Sequence, residues 1–199
     1  MSAVGFCRFR AGFLSDQQSH NNVTMKKYRF FAAVLFTGLL FPSGQTLSFA
    51  AQKPSEARVI AVNDGDTVTI RMNNGKYRAR LIGLDAPEMG QESWGSEARE
   101  HLRKLLKDSR WLVSVETDIT QYDKYGRLLI YLWSPDGEML NERMLLDGYA
   151  VLFTIQPNSR YVDRFRNAQR KAREEKKGIW GPGGLRETPL EYKKKHPRI

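Results

Sequence analysis

The sequence predicts an α+β fold that is mainly β: a small closed barrel of five strands with three helices packed on it. Three observations carry that expectation. Residues 57–133 contain five short runs rich in β-branched and aromatic side chains, two of them joined by a tight turn. One helical pattern interrupts these runs after the third, and two more follow the fifth. The chain of 199 residues, with 41% apolar and 27% charged side chains, is large enough for one core that needs no disulfide.

Residues 57–63 (ARVIAVN) and 66–72 (DTVTIRM) are the first two strands. Asn73-Asn74-Gly75 has hairpin chemistry, because Asn and Gly tolerate positive φ. It returns the chain into 76–84 (KYRARLIGL), where Tyr77, Ala79, Leu81 and Gly83 alternate with Arg78, Arg80 and Ile82. A helix follows over about 95–108, with Ser96 placed to cap it and Ala98, Leu102 and Leu105 on one face. Strand four is 111–118 (WLVSVETD). Strand five is 127–133 (RLLIYLW), closed by the turn Ser134-Pro135-Asp136-Gly137. A short helix over about 141–147 ends at Gly148. The last helix, about 159–177, carries the stripe Tyr161, Phe165, Ala168 and Ala172 and stops at Gly178. An OB-fold barrel fits this order. Residues 51–180 form one domain, and 181–199, from GPGG to the basic YKKKHPRI, read as a loose tail.

The first fifty residues have another logic. Lys26, Lys27 and Arg29 precede an apolar run from Phe30 to Phe41, and a polar segment ends in Ser48-Phe49-Ala50. This is the layout of a secretory signal peptide over 25–50, cleaved after Ala50; an uncleaved membrane anchor is the alternative. Residues 1–24 then read as an upstream extension, because Met25 serves as the start of the signal. Processing leaves a periplasmic or extracellular protein with no stable membrane association. Removing Arg8, Arg10, Lys26, Lys27, Arg29 and Asp16 changes the net charge from +10 to +6, so the basic character survives. That charge favours an anionic partner such as nucleic acid. Cys7 is the only cysteine and His20, His101 and His196 are scattered, which excludes a disulfide framework and argues against a zinc hydrolase.

The acids occupy telling places. Asp64-Gly65-Asp66 lies where strand one gives way to strand two; Asp85 follows the third strand and Glu88 follows Pro87. Each alone reads most simply as a turn or loop acid. The hairpin, however, brings Asp66 and Asp85 to the same end of the sheet, and converging carboxylates repel unless a cation separates them. Oxygen donors without His or Cys favour calcium or magnesium, with a carbonyl such as that of Ala86 completing the shell. Arg80 is either an exposed strand residue or a phosphate fork. Its place five residues before Asp85 is too far along a strand for direct pairing. Arg127 either pairs with Asp123 or reaches the same phosphate. A metal, a carboxylate base and two guanidiniums around one phosphate are the parts of a phosphodiester-hydrolysing site.

Taken together, NDGDTVTI, RARLIGLDAPE, WGSEA, DKYGR and the closing GIW resemble, in order and spacing, the staphylococcal (thermonuclease-like) nuclease domain over about residues 57–180. The resemblance implies an OB-fold barrel with three helices and a calcium-dependent endonuclease acting on DNA and RNA. It implies that Asp66, Asp85 and the Ala86 carbonyl hold Ca2+, with Asp64 a nearby supporting acid. Glu88 becomes the general base, and Arg80 and Arg127 the phosphate-binding arginines. Lys124 and Tyr125 fall where the family contacts the nucleotide. Phe153 and Ile155 stand where the staphylococcal enzyme has base-stacking tyrosines, with the local spacing altered by one, and Phe153 is the residue still able to stack. The expected enzyme is a monomer that prefers single strands, cuts with little sequence specificity and leaves 3′-phosphate ends. A noncatalytic nucleic-acid-binding barrel is the alternative. A structural calcium-binding surface protein is a third reading, and it leaves the arginines without a role.

Overall fold

The computed structural model describes residues 54–73 and 75–197. The expected extension and signal peptide lie outside these residues. Five strands close a barrel: β1 (Ser55–Val62), β2 (Thr67–Met72), β3 (Gly75–Leu81), β5 (Leu112–Glu116) and β6 (Leu128–Trp133). Their order is β1-β2-β3-β6-β5, and β5 pairs back onto β1. All ladders are antiparallel except β3 with β6, where Ala79 faces Leu128 and Leu81 faces Ile130. Alternation places Val68, Ile70, Ala79, Leu81, Ile130 and Leu132 in the core, every one of them almost completely buried.

The chain leaves the barrel at Ile82. The expected single strand over 76–84 is therefore two. A separate piece, β4 (Gly83–Asp85), pairs with β7 (Val151–Phe153) in a sheet of its own. The break has a local cause. Gly83 has a φ of +85°, and a Cβ there would lie 2.3 Å from the Phe165 ring, so only glycine fits this bend. The bend turns Asp85 back toward the barrel end it would otherwise leave.

The described residues include four α-helices. Helix α1 (Glu92–Asp108) presents Ala98, Leu102 and Leu106 to the core. It starts three residues before the expected position. Ser96 does not cap it and instead donates to the Ser93 carbonyl within the helix. Helix α2 (Leu140–Leu146) ends where Gly148 takes a φ of +74°, as its glycine signal indicates. Helix α3 (Val162–Glu174) buries Phe165, Ala168 and Ala172. Helix α4 (Pro189–Lys195) lies in the segment expected to be loose. Its starting signal is chemical: the Thr188 hydroxyl accepts from the Glu191 N–H while the Glu191 carboxylate accepts from the Thr188 N–H, a capping box with proline in the first turn. Among the described residues no helix is long and apolar enough to cross a membrane.

Two buried polar groups tie these layers. Asn141 on α2 accepts from the Leu132 N–H and donates to the Ile82 and Ile130 carbonyls at 2.9 and 3.2 Å, which pins α2 to β6 and to the point where the chain leaves β3. Tyr131 on β6 donates to Asp118 at 2.8 Å; its burial, and then that bond, push its pKa well above the usual tyrosine range. Replacing Asn141 with Ala strands one buried N–H and removes two donors. The expected loss is about 2–4 kcal/mol of unfolding free energy, read from urea melts; a loss below about 1 kcal/mol would show that the amide does not pin the layers.

Candidate active site

One end of the barrel opens into a cavity of about 700 Å³. The acids lie there because three segments converge. The turn from β1 to β2 carries Asp64 and Asp66, the short strand β4 delivers Asp85, and the loop before α1 carries Glu88. That loop is tightly seated. The Glu88 N–H donates to the Gln91 side chain at 2.9 Å, and the Gln91 N–H returns to the Glu88 carbonyl at 2.8 Å. A Cβ on Gly95, in the first turns of α1, would come 2.1 Å from that same carbonyl, so α1 packs directly beneath the loop.

Arg80 organises the buried acids. β2–β3 pairing sets it opposite Thr67, next to Asp66. Its Nη1 donates to Asp66 Oδ1 at 2.5 Å and its Nη2 to Asp85 Oδ1 at 2.7 Å and the Leu84 carbonyl at 3.3 Å. Direct pairing of Arg80 with Asp85 contradicts the expectation that five residues along a strand separate them too far. The strand ends at Leu81, and the bend at Gly83 folds Asp85 back onto the guanidinium. Burial raises the cost of a charged Arg80, but the carboxylates of Asp66 and Asp85 outweigh it and push its pKa further up. Asp66 also accepts from Thr67 Oγ1 at 2.9 Å and from the Ala86 N–H at 3.1 Å. Burial opposes its ionisation, yet Arg80, the bond with Asp64 and the Ala86 N–H prevail and hold its pKa below the usual range.

Asp64 behaves in the opposite way. Burial, and then the negative charge of Asp66, push its pKa up to about 6. The folded protein thus keeps a proton on Asp64 between pH 4 and 6 that the unfolded chain has released, so this residue lowers stability as pH rises through that interval.

Lys124, Tyr125, Arg127 and Phe153 line the same cavity, whereas Ala86 is buried beside Asp66 and is not among its lining residues. Arg127 is clasped by Asp123, Nε and Nη2 each lying 2.7 Å from Oδ2. It shares the cavity with the acids and pairs within its own loop. Burial works against the Asp123 charge, but the Arg127 and Tyr125 N–H groups and the Arg127 fork lower its pKa. The exposed Tyr125 ring is in contact with two cations, Lys124 Nζ 5.0 Å and Arg127 Cζ 5.5 Å from its centre. Phe153 and Ile155 add an apolar side.

Two contributors escaped sequence reasoning. Gln91 looks like any loop glutamine. Lys193, from α4, places its Nζ 2.6 Å from Asp85 Oδ1 and 3.1 Å from Glu88 Oε1. The signal for it was present in TPLE at 188–191, which specifies a helix start inside the supposed tail.

The donor chemistry fits a hard divalent cation, since the side chains paired with Arg80 and Lys193 are carboxylates. The arrangement is that of acids turned toward these two cations, and among the described residues no group of three acids converges on one ion position.

Residues 78–182 match the model of the staphylococcal nuclease homologues. The chain belongs to the staphylococcal nuclease family. This family member is 34% identical over 128 residues to a protein named thermonuclease from Staphylococcus hyicus, covering 62% of this chain and 74% of that one. It is 31% identical over 127 residues to the endonuclease YncB of Bacillus subtilis, covering 61% of this chain and 59% of that one. It is 30% identical over 127 residues to the prophage-derived endonuclease YokF of the same species, where coverage falls to 42% of the relative.

The proton held by Asp64 gives a test. In chelator, Asp64→Asn should become progressively more stable than the native chain between pH 4 and 6, reaching a gain on the order of 1–3 kcal/mol that stays constant above pH 7. Urea melts at four pH values measure it, and a difference independent of pH would refute the raised pKa.

Proposed function

We propose that this family member is an exported, calcium-dependent endonuclease that hydrolyses DNA and RNA with little sequence specificity. The observation that carries the reading is a single cavity holding Asp66 and Asp85 bridged by Arg80, together with Glu88 and Arg127. Buried acids at such a position cost stability unless they serve a cation, and the two arginines supply forks that match a phosphate. Family membership and the names of the relatives support nuclease chemistry. The leader layout of residues 25–50 supports export.

Asp66, Asp85 and the Ala86 carbonyl would hold Ca2+, with Asp64 behind them. When bound, the ion supplies charge to polarise a phosphoryl oxygen. The chain's own residues do the rest. A scissile phosphate competes with Asp66 and Asp85 for the Arg80 N–H groups and with Asp123 for Arg127, and the two forks stabilise charge growing on its equatorial oxygens. Glu88 takes a proton from the attacking water. Its carbonyl and N–H are both fixed by Gln91, so the base starts from a rigid loop. Lys124, Tyr125 and Phe153 offer charge and ring faces to the neighbouring nucleotide, a mode that reads backbone and any base alike and suits an unpaired strand. Breaking the 5′ P–O bond to leave 3′-phosphate ends, and action as a monomer, complete the proposal and rest on the family resemblance.

The purified chain should cleave denatured DNA with calcium and leave it intact with chelator. Retained binding without cleavage in calcium would favour a noncatalytic binding barrel instead. Glu88→Gln should lower kcat by about 10²–10⁴ with little change in thermal stability. A rate within threefold of the native one would remove Glu88 as the base. Arg80→Ala should lose activity and also stability in chelator, because it leaves Asp66 and Asp85 buried without their partner. Calorimetric melts with and without calcium separate the two effects, and a variant as stable as the native chain in chelator would refute the bridge.

A further inference from the structure

Helix α4 brings a positive charge from the far end of the chain onto the acids. The contact between Lys193 and Asp85 joins residues 108 positions apart. Asp85's side chain is 2% exposed and that of Lys193 is 34% exposed, so a partly solvated ammonium is inserted against a buried carboxylate from the open side. The approach is anchored at the helix start. The Gln91 side chain, which also fixes the Glu88 loop, donates to the Glu187 carbonyl at 3.2 Å. Tyr192 lies so close to Gly90 that a Cβ there would come 2.4 Å from its hydroxyl. The capping box sets the helix axis, and seven residues place Lys193 one turn beyond Pro189.

The seat is slight. Pro189 is the buried residue of the helix, while Leu190, Glu191, Lys194 and Lys195 are exposed. Little apolar area holds α4 down, so the ion pairs to Asp85 and Glu88 carry much of its attachment. These carboxylates include one of the oxygens that a calcium ion would need. An ammonium 2.6 Å from Asp85 Oδ1 and a divalent cation on the same oxygen would be like charges only a few ångströms apart.

We propose that α4 is a tethered competitor for the divalent ion: Lys193 fills the cation position in the ion-free protein and must withdraw for the ion to bind. The inference rests on the calcium reading of the site. While Lys193 is docked, it adds a second positive charge to Asp85, already paired with Arg80, and one to Glu88. The cost appears as weakened affinity, because the apparent dissociation constant rises by the inverse of the fraction of chains with α4 withdrawn.

Calcium titration calorimetry on the full chain, on Lys193→Met and on Lys194→Met tests this. Lys194 is exposed and serves as the control for lost charge. A strap docked about 90% of the time predicts that Lys193→Met binds calcium about tenfold tighter than the native chain, and that Lys194→Met stays within about twofold of it. Hydrogen exchange on the native chain provides a measurement independent of any substitution: saturating calcium should speed exchange of the amides that follow Pro189 in α4, from Leu190 to Lys195. Equal or weaker binding by Lys193→Met, with the native chain binding calcium, would overturn the competitor and leave the calcium site standing. Unchanged exchange in α4 at saturation would do the same. Absence of calcium binding in the native chain and both variants would overturn the metal reading, and this inference with it.

Discussion

The fork of Arg80 is the constraint on which the site depends. Two carboxylates nearly devoid of solvent lie within 2.7 Å of one guanidinium, and neither is tolerable there without it. Everything that places the three groups belongs to the barrel. Hairpin register puts Arg80 beside Asp66, and the glycine bend returns Asp85 to the same point. Asn141 holds the backbone at Ile82, one residue before the bend, so the second acid is delivered from a fixed origin. The site is thus a property of how β3 ends.

Charges of both signs interleave in the cavity. Arg80 and Lys193 face Asp66, Asp85 and Glu88, while Asp64 holds its proton into the mildly acidic range. Arg127 is neutralised by Asp123 in the DKYGR loop, where two backbone N–H groups and the Arg127 fork all converge on one carboxylate. Its position is therefore set by local chemistry in five residues. Arg80's is set by long-range pairing.

Much of this was readable from the sequence, for identifiable reasons. The barrel strands have alternation or β-branched runs long enough to register, and Gly148 marks a helix end that local backbone geometry enforces. The acids gained meaning from the hairpin, which predicts that Asp66 and Asp85 share one end of the sheet; in the structure the bend at Gly83 is what completes that approach. The β3–β4 break was not legible, because a three-residue strand has no period and its partner β7 lies some seventy residues away. Treating 76–84 as one straight strand is also what separated Arg80 from Asp85. Ser96 attracted the cap because the helix was started at its clearest apolar stripe, whereas α1 begins at polar Glu92. Helix α4 was hidden by composition: a lysine run after glycines looks solvated, and the capping box ahead of it carries the contrary information in four residues.

The parallel ladder between β3 and β6 has a consequence for how the protein comes into being. It is the seam of the barrel, and its two sides are separated in the chain by β4, α1 and β5. A chain made from its N-terminus has its β2–β3 hairpin in hand early, yet the outer edge of β3 stays open until residues 128–130 arrive. Closure is a late, non-local event, of the kind that slows folding. Arg80, which sits on that open edge, has no finished cavity until the seam is sewn.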